Sequence, residues 1–501
     1  MDADNAHRDI RIAVIGAGFG GLCAAMKLDE RGYRNLTVYD RAPDVGGTWQ
    51  ANTYPGAACD APSHLYSYSF DQDVDWSYRF AHGPEIQRYL GRCADRAGLR
   101  HRIRTDTEVT RADWDGGEWA LTLGDGSVER ADVLIPALGH LCVPVYPPLP
   151  GRADFAGDVF HTARWNHDVD LRGKSVAVIG TGSSAIQTIP AIADTVGKLT
   201  VFQRTAPYVM YKLDAPYTER THRFYRRFGF ARKFARGAIW GYFEFFNYAF
   251  WRFPGAMALL RRVHGRQLRK RVSDPALRAA LTPDYAIGCK RILLSSDYYA
   301  TLNRPDVDLV TEPITAITPK GVATATGTHE VDVIVFATGF ETSEFLSSIE
   351  IGGRDGKTLR EQWSERAAAY LGLAVPNFPN MFLIWGPNTN LGAGSIVSMI
   401  ETQAEHIVRA VERIAESPGT TVEVTTEAYD AFLGEIRARE PKTIWAGCDN
   451  WYRDEHGNDI HNWPGSMRDY RNRTRRALTP HYRVTAPTAT ESHSASGSDV
   501  G

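Results

Sequence analysis

Two glycine-rich clusters in this sequence have the spacing of a phosphate cradle. The first is Gly16, Gly18 and Gly21 in GAGFGG, and an acid, Asp40, follows about 20 residues on. Gly16 suits the tight turn, Gly18 the close approach of backbone to a pyrophosphate, and Gly21 the packing of helix on strand. A helix that starts there turns free N–H groups and the positive end of its dipole toward the phosphates. Asp40 can accept both hydroxyl hydrogens of a ribose. The second cluster is Gly180-Thr181-Gly182-Ser183-Ser184-Ala185, with Ala185 in the third glycine position. Its next strand pattern, LTVFQ, ends in Gln203-Arg204-Thr205 and carries no acid. An acid there would repel the 2′-phosphate of NADP, whereas the planar fork of Arg204 can pair with it. The expectation is therefore two dinucleotide sites, the second favouring NADPH.

The elements that must hold these loops are legible in the hydrophobic pattern. IRIAVI (10–15) and SVAVI (175–179) read as buried parallel strands, each feeding a glycine loop and then a helix. LTVYD (36–40) is the second strand of the first unit. Residues 118–139 read as a hairpin with an Asp125-Gly126 turn and then a buried strand, ending in Ala137-Leu138-Gly139. VDVIVF (331–336) is a buried strand that leads into Ala337-Thr338-Gly339. Residues 379–389 read as a strand and loop that feed a helix beginning near Ser395, whose N-terminus is expected to face the first cofactor.

The 501 residues are 43% hydrophobic and 23% charged with a net charge of −2, a soluble globular profile that gives no hint of nucleic-acid binding. The N-terminal residues lack the basic and apolar regions of a secretory signal. Six cysteines are scattered without a CxxC pair, which argues against a disulfide framework, a zinc site and a dithiol centre, and for a reducing cytoplasm. No metal is expected.

Residues 211–287 break the α/β rhythm. They are basic, aromatic and helical in pattern, with an apolar part too short and too polar to span a bilayer. An aromatic core with solvated basic faces is expected. A wall of an apolar substrate pocket and a weak membrane-surface contact are the functional readings.

The stretch between the two loops, Phe155-x-Gly157-x3-His161-x3-Trp165-Asn166, resembles the signature of flavin-dependent Baeyer–Villiger monooxygenases. Gly47-x-Trp49-x4-Tyr54-Pro55-Gly56-x3-Asp60 resembles a further fingerprint of that family, and Gly46-Gly47-Thr48-Trp49 its flavin-contacting loop. The two A-x-G turns are similar to the points where its chains cross between domains. Trp165 matches this branch, whereas related nitrogen- and sulfur-oxygenating flavin monooxygenases carry Tyr or Phe there. Asn166 departs from the usual Pro or Asp.

The resemblance implies an α/β fold with two Rossmann-like dinucleotide-binding domains and an inserted helical subdomain. The boundaries implied are an FAD domain at 1–145 and 344–484, an NADP domain at 150–210 and 288–343, the insertion at 211–287, and a disordered tail at 485–501. It implies FAD held by Gly16, Gly18, Gly21, Asp40, Gly47, Thr48, Trp49 and Asn388. It implies NADPH held by Gly180, Gly182, Ser183, Arg204, Thr205 and Lys290, with Trp445 lying over it. Arg291 would be the catalytic arginine, oriented by Asp60. Phe155, Gly157, His161 and Trp165 would act at the hinge between domains. The chemistry implied is reduction of FAD by NADPH, addition of O2 at flavin C4a, and transfer of one oxygen to a small-molecule ketone to give an ester or lactone. Oxygenation of nitrogen or sulfur is the alternative.

Overall fold

The first strand, β1 (Ile12–Ile15), is buried along its whole length and runs straight into the Gly16 loop and helix α1 (Phe19–Glu30). The chain returns through β2 (Leu36–Tyr39) and later adds β3 (Ile103–Arg104). A hairpin layer follows, with β4 (Val109–Trp114), β5 (Trp119–Leu123) and β6 (Val128–Ala131), and then β7 (Val133–Pro136). The order β3-β2-β1-β7 is parallel throughout and places α1 on one face. The hairpin expected around Asp125-Gly126 is β5–β6, with Gly126 at φ +86°. The computed structural model describes residues 9–486 apart from Phe253, Ser343, Ala477 and Thr479. All but the first two residues of the expected tail lie outside them.

The second unit repeats the plan. It comprises β8 (Asp158–His161), β9 (Ser175–Ile179), helix α2 (Ser183–Ile192) and β10 (Lys198–Phe202). After β11 (Val209–Met210) come the insertion helices α3 (Glu219–Arg227), α4 (Gly229–Arg252) and α5 (Pro254–Arg271). The chain re-enters at β12 (Leu293–Leu294), which pairs with β11 and closes the base of the insertion. Then come β13 (Val307–Val310), a small antiparallel sheet of β14 (Ala316–Thr318), β15 (Gly321–Thr324) and β16 (Gly327–Glu330), and β17 (Val333–Phe336). The parallel order is β13-β10-β9-β17-β8. The chain then returns to the first unit, where β18 (Glu350–Gly352) joins β4. Residues 380–384 run beside β7: Leu134 N–H donates to Asn380 O, Phe382 N–H to Leu134 O and Ile384 N–H to Pro136 O. Helix α6 (Ile396–Ile414) packs its buried face with α1 in the largest apolar core.

Both glycine loops are held from behind by the turn that ends a neighbouring strand. Gly16 (φ +105°) would place a Cβ 2.6 Å from Ala137 O, and Gly180 (φ +118°) one 2.4 Å from Ala337 O. Only glycine fits such a backbone at such a distance. The two A-x-G turns are thus parts of the nucleotide loops as well as exits from the sheets.

Two expectations are corrected. Cys289 and Cys448, 159 residues apart in sequence, form a disulfide with Cα atoms 6.1 Å apart. The absence of a CxxC pair did not exclude it, because folding and not local spacing brings these sulfurs together. The insertion also differs from an aromatic core with solvated cations. Trp240 and Phe243 pack inward, but Phe230, Phe234, Tyr242, Phe245 and Tyr248 are exposed. Arg232 and Arg236 instead turn inward. Arg232 donates to Gln72 O, and Arg236 to the carbonyls of His64, Leu65 and Ser67, so charged side chains dock the helices onto the first unit.

Gly21→Ala is expected to destabilise the fold by about 1–3 kcal/mol, since its Cβ would lie 1.8 Å from Gly16 O and must push helix from strand. Gly182→Ala, with nothing within 4 Å of its Cβ position, is expected to leave the denaturant midpoint unchanged. Equal midpoints for the two variants in urea titration would contradict this.

Candidate functional site

The N-termini of α1 and α2 are built to be left open. Gly18 and Gly182 occupy their N-cap positions and offer no side-chain cap. By contrast, Thr218 caps α3 and Ser395 caps α6, each accepting a backbone N–H. Uncapped N–H groups behind a glycine turn fit a phosphate group. Beside the first loop, Gly47 (φ +52°) lies so close to Gly18 that a Cβ on it would come within 2.9 Å of Gly18 Cα. Thr48 and Trp49 open a single helical turn after it, and Trp49 Nε1–H donates to the Tyr66 hydroxyl at 3.2 Å. Asp40 stands just past β2. Its Oδ2 accepts Ala17 N–H at 2.6 Å and its Oδ1 accepts Ala42 N–H at 2.8 Å. Burial raises its carboxyl above the usual range, while those two N–H groups act the other way. Each oxygen keeps a further lone pair for a ribose hydroxyl.

At the second loop, Thr181 Oγ1–H donates to Thr205 O at 3.1 Å, tying the glycine turn to the end of β10. Arg204, next to Thr205, is exposed. Lys290 Nζ sits 5.0 Å from the Tyr285 ring centroid. Its neighbour Arg291 crosses to the first unit, where Nε and Nη2 both donate to Asp60 Oδ2, at 2.9 and 2.6 Å. The pair is not a fork-to-fork arrangement, since both guanidinium donors converge on one oxygen. Both side chains are half-buried, and the Asp60 charge raises the guanidinium pKa, keeping it cationic. Tyr452 is buried nearby, its hydroxyl pushed up by loss of water and pulled down by the Arg291 charge.

The signature residues hold the join between units. His161 ends β8 and is fully buried between Tyr146 and Phe340, which stand in the two connections. Its Nδ1 accepts Ala163 N–H at 3.0 Å, and burial lowers it to about 4, so the ring is neutral at pH 7. Trp165 packs edge-on to Phe160, with ring centroids 4.9 Å apart. Phe155 is buried, and a Cβ on Gly157 would lie 2.1 Å from Asp332 O. Asn388 is engaged elsewhere: its amide donates to Asp459 O at 2.7 Å and Asn462 O at 3.2 Å, leaving Oδ1 as its acceptor. Trp445 is buried in the 444–447 turn, beside Tyr452.

Gln187 was missed by sequence reasoning. From α2 its Oε1 accepts the Tyr54 hydroxyl at 2.9 Å and Ala58 N–H at 3.3 Å, and its Nε2–H donates to Ala58 O at 2.9 Å. One side chain thus fastens the 54–58 loop of the first unit to the helix of the second. The only signal was its place one turn beyond Ser183, on the same face as the helix start.

Residues 14–82 match a family model described as an NAD(P)-binding Rossmann-like domain. Over 490 residues the chain is 40% identical to a Baeyer–Villiger monooxygenase of Streptomyces coelicolor, covering 97% of this chain and 94% of that protein. It is 37% identical over 486 residues to a Baeyer–Villiger monooxygenase of Pseudomonas aeruginosa, covering 96% and 92%. Among solved structures it is similar to an oxidized steroid monooxygenase bound to NADP, with TM-score 0.86, 33% identity and coverage of 95% and 99%. It is also similar to a closed cyclohexanone monooxygenase, with TM-score 0.86, 31% identity and coverage of 96% and 100%. With near-complete coverage at these identities, and with two dinucleotide loops meeting across the Arg291–Asp60 pair, the chain belongs to the Baeyer–Villiger monooxygenase family.

Proposed function

We propose that this chain is an FAD- and NADPH-dependent monooxygenase that inserts one oxygen atom of O2 beside the carbonyl of a small ketone. Membership of the family supports it, and the observation that carries it is the cationic Arg291 held by Asp60 between the two nucleotide loops. Gly16, Gly18, Gly21, Asp40, Gly47, Thr48, Trp49 and Asn388 would hold FAD. Gly180, Gly182, Ser183, Arg204, Thr205 and Lys290 would hold NADPH, with Trp445 over it. Bound together, these groups supply hydride transfer and O2 activation.

The protein's part is electrostatic and positional. Arg291 presents a fixed positive charge where negative charge builds up on oxygen, and Asp60 sets the direction of its donors. The Trp445–Tyr452 segment excludes water that would divert the oxygen to hydrogen peroxide. His161, neutral and buried, positions the connections between units and takes no part in proton transfer. The helical insertion shapes the apolar side of the substrate pocket, a reading supported by its docking on residues 64–75 and on Met467 and Arg468 through Glu244. The domain boundaries given above belong to the same reading. So does a cytoplasmic location, where NADPH is regenerated. Among the described residues no helix is long and apolar enough to cross a membrane.

Arg291→Ala is expected to fold, hold FAD and consume NADPH, but to lose ester formation by about a hundred- to a thousandfold and release hydrogen peroxide instead. Asp60→Ala is expected to show a milder form. Ester and peroxide measured together against NADPH decide this, and near-normal ester per NADPH would refute the assignment. A sulfide assayed beside the ketone separates this reaction from sulfur oxygenation.

Arg204→Ala is expected to weaken NADPH use by roughly ten- to a hundredfold while sparing NADH, the loss of one charged hydrogen bond. Equal losses with both cofactors in steady-state kinetics would count against it.

A weak contact with an anionic membrane surface is also part of the reading, supported by the exposed Phe230 and Phe234 close to Lys233 in sequence and by the exposed Phe245 further along the same helix. Co-sedimentation with anionic vesicles is expected at low salt and not at high salt, where only apolar insertion would persist. Binding to neutral vesicles at high salt would show that apolar insertion, and not charge, holds the protein there.

A further inference from the structure

Cys289 is fully buried, directly before Lys290 and Arg291. Cys448 is half-buried, three residues beyond Trp445. The remaining bonds of that segment are short-range. Thr443 bonds back to Glu440, and Asn450 Nδ2–H donates to Trp445 O at 2.9 Å and Cys448 O at 3.2 Å. Among the described residues, the hydrogen bonds of 443–450 run within 440–453 or to Cys289; beyond 450 the chain is tied down again, where Trp451 O accepts Thr342 Oγ1–H at 3.2 Å and Tyr452 O accepts Ile460 N–H at 3.1 Å. Apolar contact adds Ile444, packed against the Tyr208, Met257 and Ile287 cluster. The covalent bond is therefore the main long-range fastening between the segment that carries Trp445 and the turn that carries Arg291. The backbone separation, with Cα atoms 6.1 Å apart, lies within the range a disulfide spans.

We propose that Cys289 and Cys448 are a redox modification site: the disulfide straps the 443–450 segment beside the Arg291 pocket, and reduction releases it. In forming it, the two thiols lose two protons and two electrons, and an S–S bond forms. The oxidant is hydrogen peroxide, which accepts the two electrons and both protons and leaves as two waters. This is the product of failed oxygen transfer, so leakage from the site would tighten its own cover. In the reverse direction a dithiol reductant attacks the Cys448 sulfur, the more accessible of the two, and Cys289 leaves as thiol. A second thiol of the reductant then displaces Cys448, and the reductant departs as its own disulfide. Cys23, Cys59 and Cys93 are buried and separate from this pair.

The covalent tie stands apart from the proposed function, whereas its effect on coupling rests on that reading. The test uses the full-length, FAD-loaded protein, fully reduced with a phosphine that is then removed, and afterwards titrated with hydrogen peroxide. Maleimide blocking followed by non-reducing peptide mass mapping is expected to show the 289–448 cross-linked peptide in the peroxide-treated sample and free thiols at both positions before it. Limited proteolysis within 443–450 is expected to be faster by at least about tenfold in the reduced form, since local opening governs cleavage. Peroxide released per NADPH is expected to rise on reduction. Cys448→Ser should behave as the reduced protein under both conditions. Free thiols after peroxide treatment, equal cleavage of the two wild-type forms, or a redox response that survives in Cys448→Ser would each overturn the proposal. Should that variant not fold, the two redox forms of the wild type decide alone. If cross-linking and cleavage behave as expected but Arg291→Ala stays coupled, the oxygenase assignment fails and the strap stands.

Discussion

One ion pair joins two halves of the chain that are 231 residues apart in sequence: Arg291, reaching from the second unit, and Asp60, standing in the first. Either charge alone, half-buried, would lose water without compensation. Together they fix a positive charge at the seam between two nucleotide loops. Most other features of the site keep that seam in register. Gln187 clamps the 54–58 loop, which leads directly into Asp60. The β11–β12 pair delivers the chain back from the insertion just after Arg291. Asp60 and Arg291 thus meet across the two units.

The same economy governs the two connections. Each A-x-G turn supports a glycine loop from behind, through Ala137 O at Gly16 and Ala337 O at Gly180. Each turn is also the point where the chain leaves its sheet. His161 is wedged between residues of both connections, with a neutral ring and one nitrogen committed to Ala163. A displacement of one unit against the other therefore pulls on both phosphate cradles and on the His161 packing.

Much of this was legible in the chain. The alternation of apolar strands, glycine loops and helices gave both parallel units, because a strand buried on two faces must be continuously apolar. Arg291 and Asp60 were identifiable through resemblance, although the convergence of Nε and Nη2 on one Asp60 oxygen was not. What was not legible shares one cause: it depends on residues far apart in sequence. Cys289 and Cys448 carry no local motif, Gln187 looks like any helix-surface glutamine, and Asn388 spends its amide on a loop more than 70 residues away. The basic-aromatic stretch misled for the opposite reason. Its local pattern suggested aromatics inside and cations outside, yet Arg232 and Arg236 find backbone carbonyls on the first unit and turn inward.

That inversion has a consequence for the insertion. Arg236 is held by carbonyl oxygens, and burial lowers its guanidinium from the ordinary value with the Glu401 charge acting against that shift, whereas Arg232 adds ion pairs to Asp73 and Asp75 at 3.4 Å. Such contacts demand orientation, since each N–H must meet an oxygen, but they give less than a full ion pair. Apolar packing by contrast is tolerant of direction. By using Trp240 and Phe243 for the apolar contact and arginines for alignment, the chain fixes one docking geometry for α4. The remaining aromatics, Phe230 and Phe234 at 72% and 77% exposure, are surplus to that docking. Their exposure follows from the register that the arginines impose on the helix: once one face is committed to residues 64–75, the opposite face must meet whatever surrounds the protein.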